Sequence, residues 1–446
     1  MTSLREIAQS IFRQALADCS VENAVAKHVT IKNGLLQLGE ESIPLLGLRR
    51  IRVIAAGKAA GAMLTTLLRQ FPPGISPDLA GIVIAPEAPP QLPDSFRYFA
   101  GGHPMPNEMS FAGARAALAI LQTIAKDADQ QPTLCLFLIS GGTSAMMELP
   151  FDPAITLEET AAFHRALVAS GAPITEMNCV RKHFSAVKGG RLALAAGRSL
   201  CRSLLISDVP ADRLDTLGSG PTIPDSSTVA ECRKILEHYC LLPQFSASVR
   251  RFFESATLPE TPKPADLQAS AAVLLNADDL AQAAARRAEA LGFHAVIDNS
   301  CDEWEYRAAA KYLLDRLRTL RGQHSRACLI SAGEVSVSLP SGTSGRGGRN
   351  QQFALYAATL LTPVDNAVAI LSAGSDGIDG NSPATGAVVD RSILSEPHRH
   401  DAQRALENFD TYPFLTGRNA TITIGPSGNN LRDLRIFLAR SRGDKN

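Results

Sequence analysis

Residues 134–147 read LCLFLISGGTSAMM. An apolar run with no polar alternation passes into two glycines and then into Thr143 and Ser144. A run of this length and character fits a strand buried on both faces, as a helix-covered parallel sheet requires. Gly141 and Gly142 let the chain turn tightly, and Thr143 or Ser144 can cap the helix that follows. The pattern recurs in both directions: apolar runs at 51–55, 203–207, 272–275, 328–331, 367–371 and 421–424 each end in small or polar turn residues. After most of them come Ala- and Leu-rich stretches of helical spacing, such as 59–70, 110–125 and 280–291. This alternation predicts an α/β fold on parallel sheet, with ligands bound where the loops converge beyond the carboxyl ends of the strands.

The chain has 446 residues, too many for one typical core, and two domains are expected. A Pro- and Ser-bearing stretch at 242–270 is the best linker candidate. It divides the chain into a Rossmann-like domain at 1–245 and a second α/β domain at 246–446. Lys+Arg and Asp+Glu both number 44, so no global field attracts nucleic acid or an anionic membrane. No apolar run approaches the ~18 residues of a membrane span, and the start, MTSLREIAQS, lacks an apolar signal core. Eight cysteines occur without a CxxC pair, which fits a reducing, cytoplasmic setting. A homodimer is compatible with this composition but not required by it.

Chemistry is expected in the turns. Gly57 and Lys58 follow the first run and open a helix, a placement suited to phosphate but equally open to a surface lysine. The Gly141–Ser144 turn offers free amides, or simply an N-cap. Residues 178–192, NCVRKHFSAVKGGRL, carry Arg181, Lys188 and Arg191 close to one face if helical: a positive wall, or a solvated helix. Asp208 stands at a strand end, where a base or metal ligand is common, and Gly218 and Gly220 follow in an open turn. His103 lies in a stiff GGHPMP loop, and Glu334 reads as a buried acid near the site. Residues 342–352, GTSGRGGRNQQ, set two arginines among bare amides, whereas 374–380, GSDGIDG, sets out Asp376 and Asp379. Arginine with amides suits phosphate, and paired aspartates suit Mg²⁺ or a proton, so the two loops suggest phosphoryl transfer. No Walker A loop, GxGxxG or GxSxG occurs.

Together these stretches resemble the class II glycerate kinases, also called hydroxypyruvate reductases or TtuD-like proteins, which carry a C-terminal MOFRL domain. The resemblance rests on AAGKAAGAM, GGHPMPNEMS, ISGGTSAMMELP, NCVRKHFSAVKGGRLA, LISDVPADRLDTLGSGPTIPD, SAGEVSVSLPSGTSGRGGRNQQ and SAGSDGIDGNSPATGAVVD, in the family's order. It implies a larger Rossmann-like domain and a smaller MOFRL-type α/β domain, the site in the cleft between, and the last helix packing back on the first domain. It also implies ATP- and Mg²⁺-dependent phosphorylation of D-glycerate to 2-phosphoglycerate. The family's lysine falls on Lys58, its GGRNQ arginine on Arg349, and its strand-end aspartate on Asp208. On this reading Lys58 and Arg349 clamp the transferring phosphoryl group. Asp208 is the base or a Mg²⁺ ligand, and Asp376 is the rival for either role. Gly57, Gly141, Gly142, Thr143, Ser144, Lys188, Gly218, Gly220, Gly345, Gly347, Gly348 and Asn350 serve the nucleotide. Two departures stand out: Gln352 where the family motif ends in Glu, and GPSGNNLRD, with Asn429 and Arg432, where GPTGTNVND is usual. The rival function is an NAD(P)H-dependent hydroxypyruvate reductase, against which stands the missing dinucleotide fingerprint.

Overall fold

The computed structural model describes residues 2–71, 77–126, 131–340, 342–394 and 398–441. The chain forms two compact units, Val21–Leu274 and Met1–Ser20 with Leu275–Asn446.

The first unit opens with an antiparallel meander, β1 (Val29–Lys32), β2 (Leu35–Leu38) and β3 (Glu41–Pro44). A six-stranded sheet follows: β4 (Arg50–Ala56), β5 (Asp78–Ala85), β6 (Phe96–Ala100), β7 (Thr133–Ser140), β8 (Leu200–Ile206) and β9 (Ala269–Leu275), in the order β6-β5-β4-β7-β8-β9. The pairs β5–β6, β4–β5, β4–β7 and β7–β8 are parallel. Every residue of β7 is buried, as its unalternating sequence requires. Ala114, Ala117 and Leu121 of the helix Glu108–Ala125 pack on Ile84, Phe137 and Ile139. The strand order reverses between β4 and β7, and the usual ligand position in such sheets lies beyond the carboxyl ends of the strands at that point.

The second sheet departs from the all-parallel expectation. Its strands are β10 (His294–Ile297), β11 (Arg326–Ala332), β12 (Val368–Gly374), β13 (Gly386–Asp390), β14 (Thr421–Ile422) and β15 (Asp433–Arg440), ordered β10-β11-β15-β12-β13-β14. Only β10 and β11 pair in parallel; β15 runs back between β11 and β12 and is antiparallel to both. The chain thus ends its sheet with a strand where a final helix was expected. The helix that joins this unit from afar is the first one, Leu4–Asp18. It is started by a Ser3–Glu6 capping box and buries Ala8, Ile11, Phe12 and Ala15. Asp18 then receives a two-pronged hydrogen bond from Arg287, at 2.7 and 2.5 Å.

The compact units part at 274/275, about thirty residues beyond the expected 245/246 division. The supposed linker holds the helix Ala247–Glu254, whose Val249, Phe252 and Phe253 join Phe163 and Phe184 in an aromatic core. None of the eight cysteines forms a disulfide, and Cys240 is the exposed one. Among the described residues no helix is long and apolar enough to cross a membrane.

Candidate active site

In the first unit the turns after β4, β7 and β8 are locked together by contacts that only small residues permit. Gly57 sits at φ 114°, and a methyl there would lie 2.4 Å from Ser140 Oγ. The Lys58 N–H donates to the Gly141 carbonyl at 2.9 Å, and the Ala59 N–H to Ser140 Oγ at 3.0 Å. Thr143 Oγ1 lies 2.8 and 2.7 Å from the carbonyl oxygens of Ala56 and Ser140. The Thr143 hydroxyl is therefore a rivet between strands, its one proton already engaged.

Two side chains converge on the double glycine. A methyl on Gly141 would lie 2.1 Å from Asp208 Oδ2, so the carboxylate presses directly on that backbone. A methyl on Gly142 would lie 3.2 Å from Lys58 Cγ and 3.2 Å from His103 Cδ2. Burial and the Lys58 charge together hold the His103 pKa below its ordinary value. Among the described residues no acid or carbonyl engages Lys58 Nζ. Ser144 Oγ meets Ser219 Oγ at 3.0 Å, and Ser219 Oγ donates to Asn178 Oδ1 at 3.1 Å. Gly218 packs on Thr143, where a methyl would lie 2.8 Å from Cβ, whereas Gly220 turns towards the Asp215 carbonyl within its own loop. Lys58, Gly57, Gly141–Ser144, Asp208 and Gly218 are thus one group, and Gly220 stands outside it. Replacing Gly141 by Ala should displace Asp208 by an ångström or more and lower kcat roughly 10²-fold, because misplacement on that scale is costly. Steady-state kinetics, with a thermal melt showing an intact fold, would check it.

The basic segment forms no wall. It breaks into a helix, Ile174–Phe184, and a short turn of helix, Arg191–Leu194, with Gly189 and Gly190 at positive φ between them. Lys188, expected at the nucleotide, is fully buried in an ion pair with Glu148, which also meets His164 at 2.9 Å. Burial opposes the Glu148 charge, but Lys188 and His164 outweigh it and hold the carboxyl at about 2. Arg191 donates to the carbonyls of Lys182 (2.5 Å), Ser185 (2.8 Å) and Pro259 (3.0 Å), and so clamps backbone. Lys182 pairs with Asp215 and Asp225.

In the second unit the two glycine-rich loops fold onto each other. Asn381 N–H donates to the Gly347 carbonyl at 3.1 Å, and Gly347 N–H to Asn381 Oδ1 at 2.8 Å. A methyl on Gly348 would lie 2.2 Å from Asp379 Cγ, and one on Gly347 or Gly345 would strike residues 408–411. These glycines are demanded by packing. Asp379 is no metal ligand in this arrangement: its buried carboxylate caps the helix Arg349–Thr359. It accepts the backbone N–H groups of Asn350 and Gln351 at 3.0 and 2.9 Å, with their side-chain amides at 3.3 and 2.9 Å. Asn350 also accepts from Ser372 Oγ at 2.6 Å, so it too is internal. Gln352 donates to the Leu406 carbonyl at 2.9 Å, a bond that an ionised glutamate could not make. Arg346 stacks on Tyr412.

Burial raises the Asp379 pKa to about 6, against the pull of its N–H donors. The folded chain then keeps a proton that the unfolded chain, with an ordinary value of 3.8, has released. This group's stabilisation is full below about pH 4 and lost as pH rises through about 6, a swing of about 3 kcal/mol. Asp379→Asn should abolish that swing, read as the wild-type-minus-variant difference in urea unfolding free energy at about pH 4.5 and 7.5.

Arg349 is the hub of this unit, though not as a bare phosphate clamp. Its guanidinium donates to Glu334 at 2.9 and 2.7 Å and to Asp433 at 2.6 and 3.1 Å. Two carboxylates flank one arginine, which raises the arginine's own pKa against the cost of burial. Burial and the neighbouring Asp433 push Glu334 above the usual carboxylate range, with Arg349 and Arg432 opposing. Asp433 starts β15 between the ends of β11 and β12, opposite Gly374. A methyl on Gly374 would lie 3.3 Å from Asp376 Oδ1 and 3.4 Å from Asp433 Oδ1, so both acids border one glycine. Arg432, at φ 65°, is paired with Asp302 at 2.5 and 2.8 Å. Glu334, Arg349, Asp376, Arg432 and the Gly345–Gly348 edge line a cavity of 840 Å³.

Comparison with known proteins finds two family matches along the chain. Residues 7–254 match a domain of unknown function, DUF4147, and residues 327–433 match the MOFRL family. A D-glycerate 2-kinase of Thermotoga maritima is 35% identical over 406 residues, covering 90% of this chain and 93% of the relative. The chain belongs to the glycerate kinase family. A crystal structure of a glycerate kinase from Thermotoga maritima superposes with a TM-score of 0.81 at 32% identity, covering 98% of this chain and 99% of the other. The family also includes a putative hydroxypyruvate reductase of Agrobacterium vitis, 32% identical over 98% of this chain and 94% of the relative. As a glycerate kinase family member, the chain is an enzyme whose expected lysine and strand-end aspartate meet at one turn. Glu148 and Asp433 lie inside the stretches ISGGTSAMMELP and GPSGNNLRD but were given no role, and His164 stands in no motif.

Proposed function

We propose that this protein phosphorylates D-glycerate from Mg-ATP, with 2-phosphoglycerate as product. The observation that carries the reading is Lys58 beside Gly142 with Asp208 pressed on Gly141, at the strand-order reversal of the parallel sheet. A cation without a protein anion fits a phosphoryl group, and the Thr143 and Ser144 amides have no intrahelical acceptors. Lys58 would offset charge spreading over the transferring phosphoryl oxygens. Asp208 would accept the proton of the attacking glycerate hydroxyl. Within the second unit, Asp376 would offer a hard oxygen donor of the kind magnesium takes. Arg349 acts through Glu334 and Asp433, holding both carboxylates in place, and is a positioning residue in this account. The choice of the 2-hydroxyl follows the naming of the relatives as 2-kinases.

The reductase reading draws on the name of the Agrobacterium vitis relative. It lacks the glycine fingerprint that brings a dinucleotide pyrophosphate onto a helix, and a Rossmann-like strand order alone does not supply it. Two parallel assays separate the readings. One follows ADP release from Mg-ATP with D-glycerate; the other follows NADH or NADPH absorbance with hydroxypyruvate. Glycerate-dependent ADP release with no cofactor oxidation is expected, and the converse would overturn the proposal.

A further inference from the structure

In the core of the first unit, away from the Lys58 turn, two thiols and an imidazole converge. Cys179 and His183 lie one turn apart on the helix Ile174–Phe184, and Cys232 comes from the helix Val229–His238. All three are buried, and one ligand atom from each lies within 4.8 Å of the others. Cys179 Sγ stands 4.0 Å from His183 Nδ1. In a tetrahedral zinc site with ordinary bond lengths, such atoms stand about 3.6–3.8 Å apart. Closing the cluster on an ion therefore asks for movements of about an ångström or less.

The second observation is on the far side of the imidazole. His183 Nε2 lies 3.1 Å from Glu260 Oε1. Glu260 is itself held by the Val229 N–H at 3.2 and 3.1 Å and the Thr261 N–H at 3.1 Å. Val229 opens the helix that carries Cys232. One carboxylate thus fixes the ring that would offer Nδ1 and ties down the helix that would offer the second thiolate. A carboxylate behind the imidazole is the usual support of a metal-bound histidine. The competitor for Nδ1 is the Cys179 carbonyl oxygen at 2.9 Å, a bond that metal binding would replace.

We propose that Cys179, Cys232 and His183 Nδ1 form a buried site for a soft divalent cation, zinc above all, with Glu260 orienting the histidine. Two thiolates and one imidazole are a donor set that zinc favours over magnesium or calcium. Binding displaces whatever protons the two thiols and Nδ1 still carry. The site is structural: it fastens the helix bearing Asn178 and Lys182 to its neighbour, independently of any reaction at Lys58. The alternative is that both thiols merely fill space beside Phe163, Phe184 and Phe253.

The test uses the full chain, purified without a histidine tag, stripped by a chelator under reducing conditions, incubated with zinc sulfate and desalted. Metal analysis should find about one zinc per chain, unchanged in Cys240→Ser and lost in Cys179→Ala and Cys232→Ala. Glu260→Gln, at a half-exposed position, should bind zinc roughly 10–100-fold more weakly. Because the cysteine variants alter a core, the wild-type chain is also loaded with cobalt(II). A thiolate-to-cobalt absorption band, with two thiols protected from alkylation, is expected. Wild-type protein that retains no zinc and shows no such band would overturn the proposal. So would zinc retained undiminished by a folded Cys179→Ala variant.

Discussion

Arg349→Ala should lower kcat for glycerate phosphorylation roughly 10³-fold, and it should also destabilise the fold. The sequence suggested a loss of turnover alone. The geometry adds the second effect, because four hydrogen bonds from one guanidinium satisfy Glu334 and Asp433. Removing it strands two neighbouring acids, one of which, Asp433, is almost wholly buried. Breaking a fully buried pair typically costs about 3–5 kcal/mol. The Arg349 side chain is 38% exposed, so a loss of about 2–3 kcal/mol is the better expectation. Arg349→Lys separates charge from shape. A lysine keeps the cation but cannot bridge two carboxylates with a planar fork. It should recover most of the stability while kcat stays depressed roughly 10²-fold. Near-normal turnover by Arg349→Lys, with Glu334 and Asp433 no longer bridged, would remove Arg349 from the catalytic account.

Lys58→Ala should have the opposite profile. No buried partner is lost, so unfolding free energy should change by no more than about 0.5 kcal/mol. Turnover should fall roughly 10²–10³-fold, because the lysine is assigned to charge that develops as the phosphoryl group transfers. The kinetic split is informative. Equal falls in kcat and kcat/KM mark a contact made only in the transition state, whereas a raised KM with unchanged kcat marks plain ground-state binding. A variant whose kcat stays within about twofold of wild type would reassign Lys58 to binding or to the surface.

The strands that carry function were the legible ones. The runs 51–55 and 134–140 lie within β4 and β7, and 203–207 overruns the end of β8 by one residue, because a strand covered on both faces has no room for polar alternation. Their small-residue turns marked Lys58, Gly141–Ser144 and Asp208 for the same reason: the turns touch one another and tolerate no Cβ. β15 stayed hidden. Its sequence, DLRIFLAR, carries an acid and two arginines, Arg435 and Arg440, which break up an otherwise apolar run. In the fold Asp433 is spent on Arg349, and Arg435 is fully buried with its guanidinium over the Phe353 ring. Charged residues mask a buried strand when their partners are distant in sequence. The same distance defeated the basic-wall reading, since Lys188 is answered by Glu148, forty residues away. The glycine-rich 342–352 loop looked like a phosphate cradle because close backbone packing and anion binding demand the same residue. Asp379, pressed against Gly348, decides for packing there.

The measurement that tests the central claim most directly is phosphorus NMR of purified protein with Mg-ATP and D-glycerate. The account predicts a phosphomonoester signal that grows with ADP, depends on glycerate, and couples to the proton at carbon 2. ATP that remains unconverted in the presence of glycerate, by a protein shown to be folded, would contradict it.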